Sequence, residues 1–334
     1  VKPALSVIMF SVLSGAGLGA LALMALADLA WRAGVIEAPW SPALTSAAVI
    51  ALVLVIAGLC ASTLHLANPR NAWRSLARWR SSWLSREALA ALAFIPVAGA
   101  YVALHASGSP SWTQALAGAT VLLAWAMLYC TAMIYASLKP VRQWHTARVP
   151  VAFFLLGHAS GALLIACAIA TERTATNGWM VAAVLLFVLA LIAKIEYWRF
   201  VGASGITLET AIGVPHGVAP PRREHARPRS VAARLLDVGH SKGTFLTDEF
   251  VNTQSHSTLR AMRAAALIAG FGIPLLWLAS SFGIPLPGLG DGRPDWRVGA
   301  MVWLACMLGL TAERWLFFAE ARHTVRLYHG DRTT

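Results

Sequence analysis

Apolar residues in this chain fall in long, nearly unbroken runs rather than in alternating or one-faced helical patterns. Crossing about 30 Å of hydrocarbon takes roughly 20 mostly apolar residues in a helix. Eight runs meet that length, over residues 5–31, 43–66, 87–106, 114–137, 149–171, 178–200, 259–281 and 298–321. The first is too long for a cleaved signal and lacks a clear small-x-small cleavage site, so it reads as a span. Residues 202–257 break the pattern. They hold Pro215, Pro220, Pro221 and Pro228 among Arg and His, with no apolar run long enough to span. This stretch is expected to be one long extramembrane loop with a short helix near 246–250. The predicted fold is all-α and integral to the membrane. It is a single polytopic domain over 1–334, a bundle of about eight transmembrane helices with the long loop between helices six and seven.

Composition sharpens this reading. Of 334 residues, 57% are hydrophobic and 13% charged, against about 25% charged in soluble domains. There is too little polar surface to coat a globule, so most of the surface must meet lipid. A formal charge of +12 raises nucleic acid as a partner, but a nucleic-acid footprint is a clustered face on a soluble fold. Here the basic residues sit between apolar runs, as topology signals do. Arg70, Arg74, Arg78, Arg80 and Arg86 follow the second span, and Lys139, Arg142 and Arg148 follow the fourth. The loop after the sixth adds Arg222, Arg223, Arg227, Arg229, Arg234 and Lys242, and the tail holds Arg322, Arg326 and Arg332. The alternate connections are short and nearly neutral. Both termini and the long loop are therefore expected on the cytoplasmic side of a bacterial inner membrane, with lipid and no nucleic acid as surroundings.

Four cysteines, Cys60, Cys130, Cys167 and Cys306, lie inside apolar runs without CxxC or metal-ligand spacing, and read as small hydrophobes. Gly15-Ala16-Gly17-Leu18-Gly19 imitates part of a nucleotide-binding glycine motif but lies inside a span, with no strand before it. Gly15 and Gly19 stand four apart, the spacing that lets another helix approach closely.

Candidate chemistry concentrates where ionisable groups meet the apolar runs, because such groups are costly in hydrocarbon and usually pair, face a cavity or serve function. Pro69 ends the second span and places His65 at its inner edge. Over 67–86, Trp73, Leu76, Trp79 and Trp83 recur at helical spacing with arginines between them, the pattern of an interfacial amphipathic segment. That segment either anchors the protein or roofs a site for a lipid-soluble ligand, with His65 and Glu87 exchanging hydrogen bonds or protons and Arg70 nearby. Lys194 and Glu196 end the sixth span. Glu313 and Arg314 lie about two turns (~12 Å) deeper than Arg322 and His323 in the eighth. These groups form either structural ion pairs or a polar pocket suited to a quinone, whose carbonyls need hydrogen bonds and whose reduction needs protons. His158, the histidine nearest mid-membrane, has no partner at matching depth and is expected to make a helix-to-helix hydrogen bond. His65 and His323 match in depth and could hold a haem b, although a quinone is preferred as the ligand.

Leu64-His65-Leu66 followed by Pro69, Arg70 and Ala72, then Trp83-Leu84-Ser85-Arg86-Glu87, resembles the membrane-anchor subunits of dimethyl-sulfoxide-reductase-type molybdoenzymes. Leu13-Ser14-Gly15-Ala16-Gly17 and the ending Ala312-Glu313-Arg314-Trp315-Leu316-Phe317-Phe318-Ala319-Glu320-Ala321-Arg322-His323 are similar too, the latter most of all to anchors of cytoplasmic sulfite-oxidising complexes. The resemblance implies a three-part enzyme: a molybdopterin catalytic subunit, an iron–sulfur electron-transfer subunit, and an anchor that exchanges electrons with the quinone pool. It also implies that His65 and Glu87 are linked to the quinone site. The loop over 202–257 would then be a docking surface for the iron–sulfur subunit. A quinol-oxidising reductase anchor, a secondary transporter and a ligand-free scaffold are the alternatives.

Overall fold

The computed structural model describes residues 4–37, 41–64, 69–107, 112–170, 177–207, 254–282 and 295–329. Eight helices in it are long and apolar enough to cross a membrane. They are α1 (Leu5–Arg32), α2 (Pro42–Thr63), α3 (Trp83–Ala106), α4 (Thr113–Ala136), α5 (Arg148–Ile169), α6 (Asn177–Ala203), α7 (His256–Ser280) and α8 (Trp296–Ala319). Among the described residues no strand forms, only an isolated bridge between Val141 and His323. Each predicted span has its helix, and the ends move for local reasons. Ser82 accepts the Ser85 N–H at 3.4 Å, so α3 starts at Trp83 and Glu87 lies one turn inside it. Pro42 occupies the first turn of α2, and Ser41 caps it by accepting the Leu44 N–H at 3.3 Å. The stretch over 67–86 contains a 3-10 helix, Pro69–Arg78, rather than an α-helix. Three residues per turn bring Trp73 and Leu76 into line, which suits their spacing. The short helix expected near 246–250 lies outside the described residues, as does the long loop over 208–253.

In lipid there is little hydrophobic force between helices, so association rests on close packing and on interhelical hydrogen bonds. The glycines supply the close packing. A Cβ at Gly19 would run into the carbonyl of Gly157, and one at Gly161 into the backbone of Ala20 and Gly19. Gly15 and Gly19 on α1 therefore face Gly157 and Gly161 on α5, two matched four-residue spacings in backbone contact. On another side of α1, a Cβ at Gly17 would stand 2.7 Å from the Val55 side chain, and one at Gly58 would stand 2.8 Å from the Ser14 nitrogen. The resemblance of this glycine run to a nucleotide loop is thus accounted for by packing. As a result α1 and α5 are buried for most of their length, while α2, α3 and α6 turn Val53, Leu92, Leu185 and Ile192 outward.

The α7–α8 pair repeats the device with a twist. Gly309 and Gly270 meet backbone to backbone. Pro274 has no N–H, so the carbonyl four residues earlier, at Gly270, loses its helical donor. Residues Ile268–Gly272 widen into a π-turn, and the Cys306 thiol donates to the Gly270 oxygen at 3.5 Å. Cys130 and Cys167 are buried as well, whereas Cys60 lies on an exposed face of α2, contrary to the expectation that all four are interior.

The helices run alternately, so the connections after α2, α4 and α6 and the tail after α8 share one end, called here the basic end. There the α4–α5 connection is stitched to the tail. Thr324 N–H donates to the Pro140 oxygen at 3.0 Å, Arg322 N–H to Gln143 Oε1 at 3.3 Å, and Trp144 Nε1–H to the Phe317 oxygen at 3.0 Å. Tyr135, Trp144, Phe153 and Phe317 interlock ring on ring above this stitch.

Overpacking a close contact costs about 1–3 kcal/mol. Gly161→Ala is expected to lower the melting temperature in detergent clearly, because its Cβ meets backbone that cannot step aside. Gly118→Ala, which meets nothing within 4 Å, is expected to leave it unchanged or raised. Equal melting temperatures would show that the α1–α5 contact is slack.

Candidate functional site

Glu87 is 4% exposed and sits one turn inside α3 at the basic end. The Thr131 hydroxyl on α4 donates to its Oε1, and that hydroxyl also lies 2.9 Å from the Met127 carbonyl oxygen. A threonine hydroxyl has one proton, and both contacts are satisfied together when the Glu87 carboxyl carries a proton of its own. No ion pair to Glu87 is present among the described residues, which leaves it the kind of intramembrane acid that points to function. On the same face of α3, Trp83 meets Tyr129 edge to face at 5.6 Å, and Arg86 lies 4.2 Å over the Trp83 ring. Arg86 also donates to the Trp79 and Arg80 carbonyl oxygens at 2.9 and 2.7 Å, tying the preceding segment to the start of α3.

His65 lies outside the described residues, immediately after Leu64 at the end of α2. The backbone of Arg70 opens the 3-10 helix Pro69–Arg78. Trp73, 66% exposed, and Trp79 stand out from this segment, with Arg74 and Arg80 over their rings.

Glu313 and Arg314 are buried on α8, and the structure gives them a partner on α6. Lys194, 1% exposed, pairs with Glu313 Oε1, while Arg314 Nε stands 3.1 Å from Glu313 Oε2. Arg314 also lies 3.8 Å over the ring of Phe153 on α5. Lys194 thus turns into the bundle interior, whereas Glu196, two residues on, makes an exposed pair with Arg199 at 2.7 Å. The triad carries two positive charges and one negative.

Between Arg314 and Thr131 is a small cavity of about 20 Å³. Ser11 and Ser14 of α1 and Ser160 of α5 complete its polar lining. A second pair, Arg263 on α7 with Glu320 at the end of α8, closes at 2.5 and 3.0 Å. It borders a polar cavity of about 680 Å³ at the basic end, lined also by Gln143, His256 and Arg322.

His323 stands apart from these groups. Val325 N–H donates to its Nδ1 at 3.0 Å, and burial holds its imidazole below the usual histidine range. With Nδ1 accepting, the neutral ring keeps its proton on Nε2. His158 makes the helix-to-helix hydrogen bond expected of it: Trp125 Nε1–H donates to its Nε2 at 3.1 Å, and its Nδ1–H donates to the Phe154 oxygen at 2.8 Å.

The opposite end holds a cluster that the apolar pattern hides. Asp28 of α1 is fully buried, 3.2 Å from Arg32 and 3.2 Å from His105 of α3, with Tyr101 edge-on to His105 at 4.9 Å. The clue in the sequence was the i, i+4 spacing of Asp28 and Arg32 at the end of an apolar run. Nothing in the sequence marked Thr131 or Arg263.

Removing one partner of a buried ion pair costs about 3–5 kcal/mol, because a charge is left without a counter-ion. Charge arithmetic orders two variants. Glu313→Gln leaves Lys194 and Arg314 together without an acid, whereas Lys194→Met leaves a neutral Glu313–Arg314 pair. Thermal melting of the purified protein is expected to fall much further for Glu313→Gln than for Lys194→Met. The reverse order would show that the triad is not the charge unit described.

Comparison with known proteins places these features in a family. The family model for the DMSO reductase anchor subunit (DmsC) matches residues 2–219. The sequence is 34% identical to the C subunit of sulfite dehydrogenase from Allochromatium vinosum, over 98% of both proteins. It is 32% identical to two Escherichia coli proteins, each over a shorter stretch. For the YnfH chain of anaerobic dimethyl sulfoxide reductase the match spans 42% of this protein and 49% of the relative. For the C chain of anaerobic dimethyl sulfoxide reductase it spans 34% and 40%. No solved structure matches. Eight apolar helices, a buried acid at the start of the third and the family model over well over half the sequence lead to one conclusion: the protein belongs to the DMSO reductase anchor subunit (DmsC) family.

Proposed function

We propose that this protein is the membrane anchor and quinone-reacting subunit of a three-subunit molybdoenzyme that passes electrons from sulfite oxidation to the quinone pool. The observation that carries this reading is the similarity to the C subunit of a sulfite dehydrogenase along almost the whole of both proteins. A molybdopterin subunit would oxidise the substrate, and an iron–sulfur subunit would dock on the basic end and deliver electrons. The excess of Arg and Lys in the connections there favours the cytoplasmic side for that end, and an inner-membrane location with it.

The residues around Glu87 fit a quinone. The Trp83 and Tyr129 rings offer aromatic walls near the lipid, and the Glu87–Thr131 pair offers a proton and a hydrogen bond beside them. A quinone, when bound, takes up two electrons and two protons to become a quinol. Glu87 would supply or relay protons, with His65 as its companion and Arg70 at the pocket edge. Glu313 and Arg314 act from deeper in the bundle. His323 follows α8 at the basic end, where the Val325 N–H holds its Nδ1, and would take part from there. The two Escherichia coli relatives favour a second reading, in which the same site oxidises a quinol for a reductase.

The test is made on the complex purified in mild detergent from its native membrane, with its companions identified by mass spectrometry. Positioned acid–base groups contribute about 10²–10⁴-fold. Glu87→Gln and His65→Ala are therefore each expected to cut quinone-linked sulfite oxidation by about a hundredfold. Turnover with a water-soluble dye, taken from the partner subunits, should persist. Undiminished quinone-linked turnover would remove both residues from the site. Quinol-driven reduction of dimethyl sulfoxide without sulfite oxidation would select the second reading, and a protein that purifies without partners would overturn both.

A further inference from the structure

One member of the buried Lys194–Glu313–Arg314 triad and one of the Glu87–Thr131 pair line the same small cavity. Arg314 lines it from α8 and Thr131 from α4, and at about 20 Å³ it exceeds the roughly 10–15 Å³ one water needs. Most of its wall is apolar, but Ser11, Ser14, Thr131, Ser160 and Arg314 all reach it. The Ser14 hydroxyl donates to the Phe10 oxygen at 2.6 Å, and the Ser160 hydroxyl donates to the Leu156 oxygen at 2.8 Å. Both hydroxyls have spent their single proton on their own helices, so what they offer the cavity is lone pairs. Arg314 offers only donors. A water there can give its protons to the serines or to Thr131 and accept from the guanidinium, which makes the three or so bonds usual for an interior water.

We propose that a water held in this cavity couples the triad to the Glu87 carboxyl, so that the triad's net positive charge governs when Glu87 takes up and releases its proton. Arg314 and Glu313 are on this account positioning residues for the proton exchange, and Lys194 sets the charge they present. The role in quinone chemistry rests on the function proposed above; the coupling itself does not. Among the described residues, the other charged and titratable groups around Glu87 are Arg86 on α3 and Cys130 and Tyr135 on α4, with Tyr135 placed to feel both Glu87 and Arg314. None of the three belongs to the triad, so changing the triad leaves them in place.

The purpose of so costly an arrangement follows from its arithmetic. Two cations and one acid leave one net positive charge in a medium that screens it weakly. A lone Arg would supply the same charge with no counter-ion, free to turn toward any polar neighbour. Held by Glu313 on one side and the Phe153 ring on the other, the guanidinium keeps one direction. Glu320, seven residues after Glu313 and so on the same face of α8, extends the charged row to the large cavity at the basic end, where water can reach it.

The experiment is an infrared titration of the assembled complex in lipid nanodiscs. The Glu87 carboxyl band is identified as the one lost in Glu87→Gln. Lys194→Met takes the triad from one net positive charge to none. A unit charge about 10 Å away at an effective dielectric constant near 20 moves a titration by about one pH unit. The band's midpoint is therefore expected to rise by about that much. Lys194→Met combined with Glu313→Gln leaves Arg314 alone and restores the charge, so the midpoint is expected to return toward that of the unaltered complex. A purely structural role predicts that the double variant is the more disturbed of the two, and that result, or an unmoved midpoint in Lys194→Met, would overturn the coupling. Should the double variant fail to assemble, the single variant decides. Ser14→Ala removes one acceptor from the water without adding bulk or changing any charge, and is expected to move the Glu87 midpoint by itself; an unmoved midpoint would overturn the water's part. Band shifts as expected in a complex that never reduces quinone would sink the quinone reading and leave the coupling standing.

Discussion

The bundle depends on how closely α1 approaches α5. Glycines at matched four-residue spacing let the two backbones touch, and a side chain at either Gly19 or Gly161 would occupy space already filled by main chain. In water such contacts would be secondary to apolar burial. In lipid the outside is as apolar as the inside, so tight packing is among the few forces that tell one helix arrangement from another. Once α1 and α5 are joined this way, α2, α4 and α8 have fixed faces to pack on, and the polar groups those helices carry are brought to set depths.

That is how one acid on α3 and an ion triad on α6 and α8 come to border the same centre. Ser11 and Ser14 come from α1 and Ser160 from α5, so the polar lining of the small cavity lies beside the glycine contact itself. The hydroxyls are satisfied by their own helices. The cavity can thus be polar without leaving a buried donor unmet, which in this setting would cost more than the cavity gains. The aromatic lattice of Tyr135, Trp144, Phe153 and Phe317 then closes the basic end beneath Arg314.

Much of this was legible from the sequence, and the limits of legibility have physical causes. Length of apolar run gives each span directly, because hydrocarbon thickness sets it, and the eight runs and the eight helices agree to within a few residues. Glu87 and the Glu313–Arg314 pair were visible as charges that hydrocarbon should not tolerate. Their partners were not. A helix that is apolar all round shows no preferred face, so nothing in the pattern says that Lys194 turns inward to Glu313 while Glu196, two residues on, turns out to Arg199. Thr131 has the same difficulty: a threonine in a span is ordinary until a carboxyl is found across from it. Asp28 had its clue in Arg32 four residues on, but that pair alone reads as a helix end, and the second partner, His105, is far away in sequence. The 3-10 helix at Pro69–Arg78 shows a subtler limit, since a spacing of three fits either helix type over so short a stretch.

The two ends of the molecule hold buried acids of different kinds, and the difference bears on where chemistry can occur. At the neutral end Asp28 is flanked by Arg32 of its own helix and His105 of α3, both at 3.2 Å. An acid so placed is committed to its partners, and serves to lock α1 to α3. At the basic end Glu87 has a hydroxyl for a partner and, among the described residues, no cation paired with it, while Lys194 and Arg314 pair with Glu313. The proton exchange proposed for Glu87 rests on this difference: charge lies near the carboxyl without pairing with it. A bundle intended only to hold its helices together would have had better use for Arg314 beside Glu87 than beside Glu313.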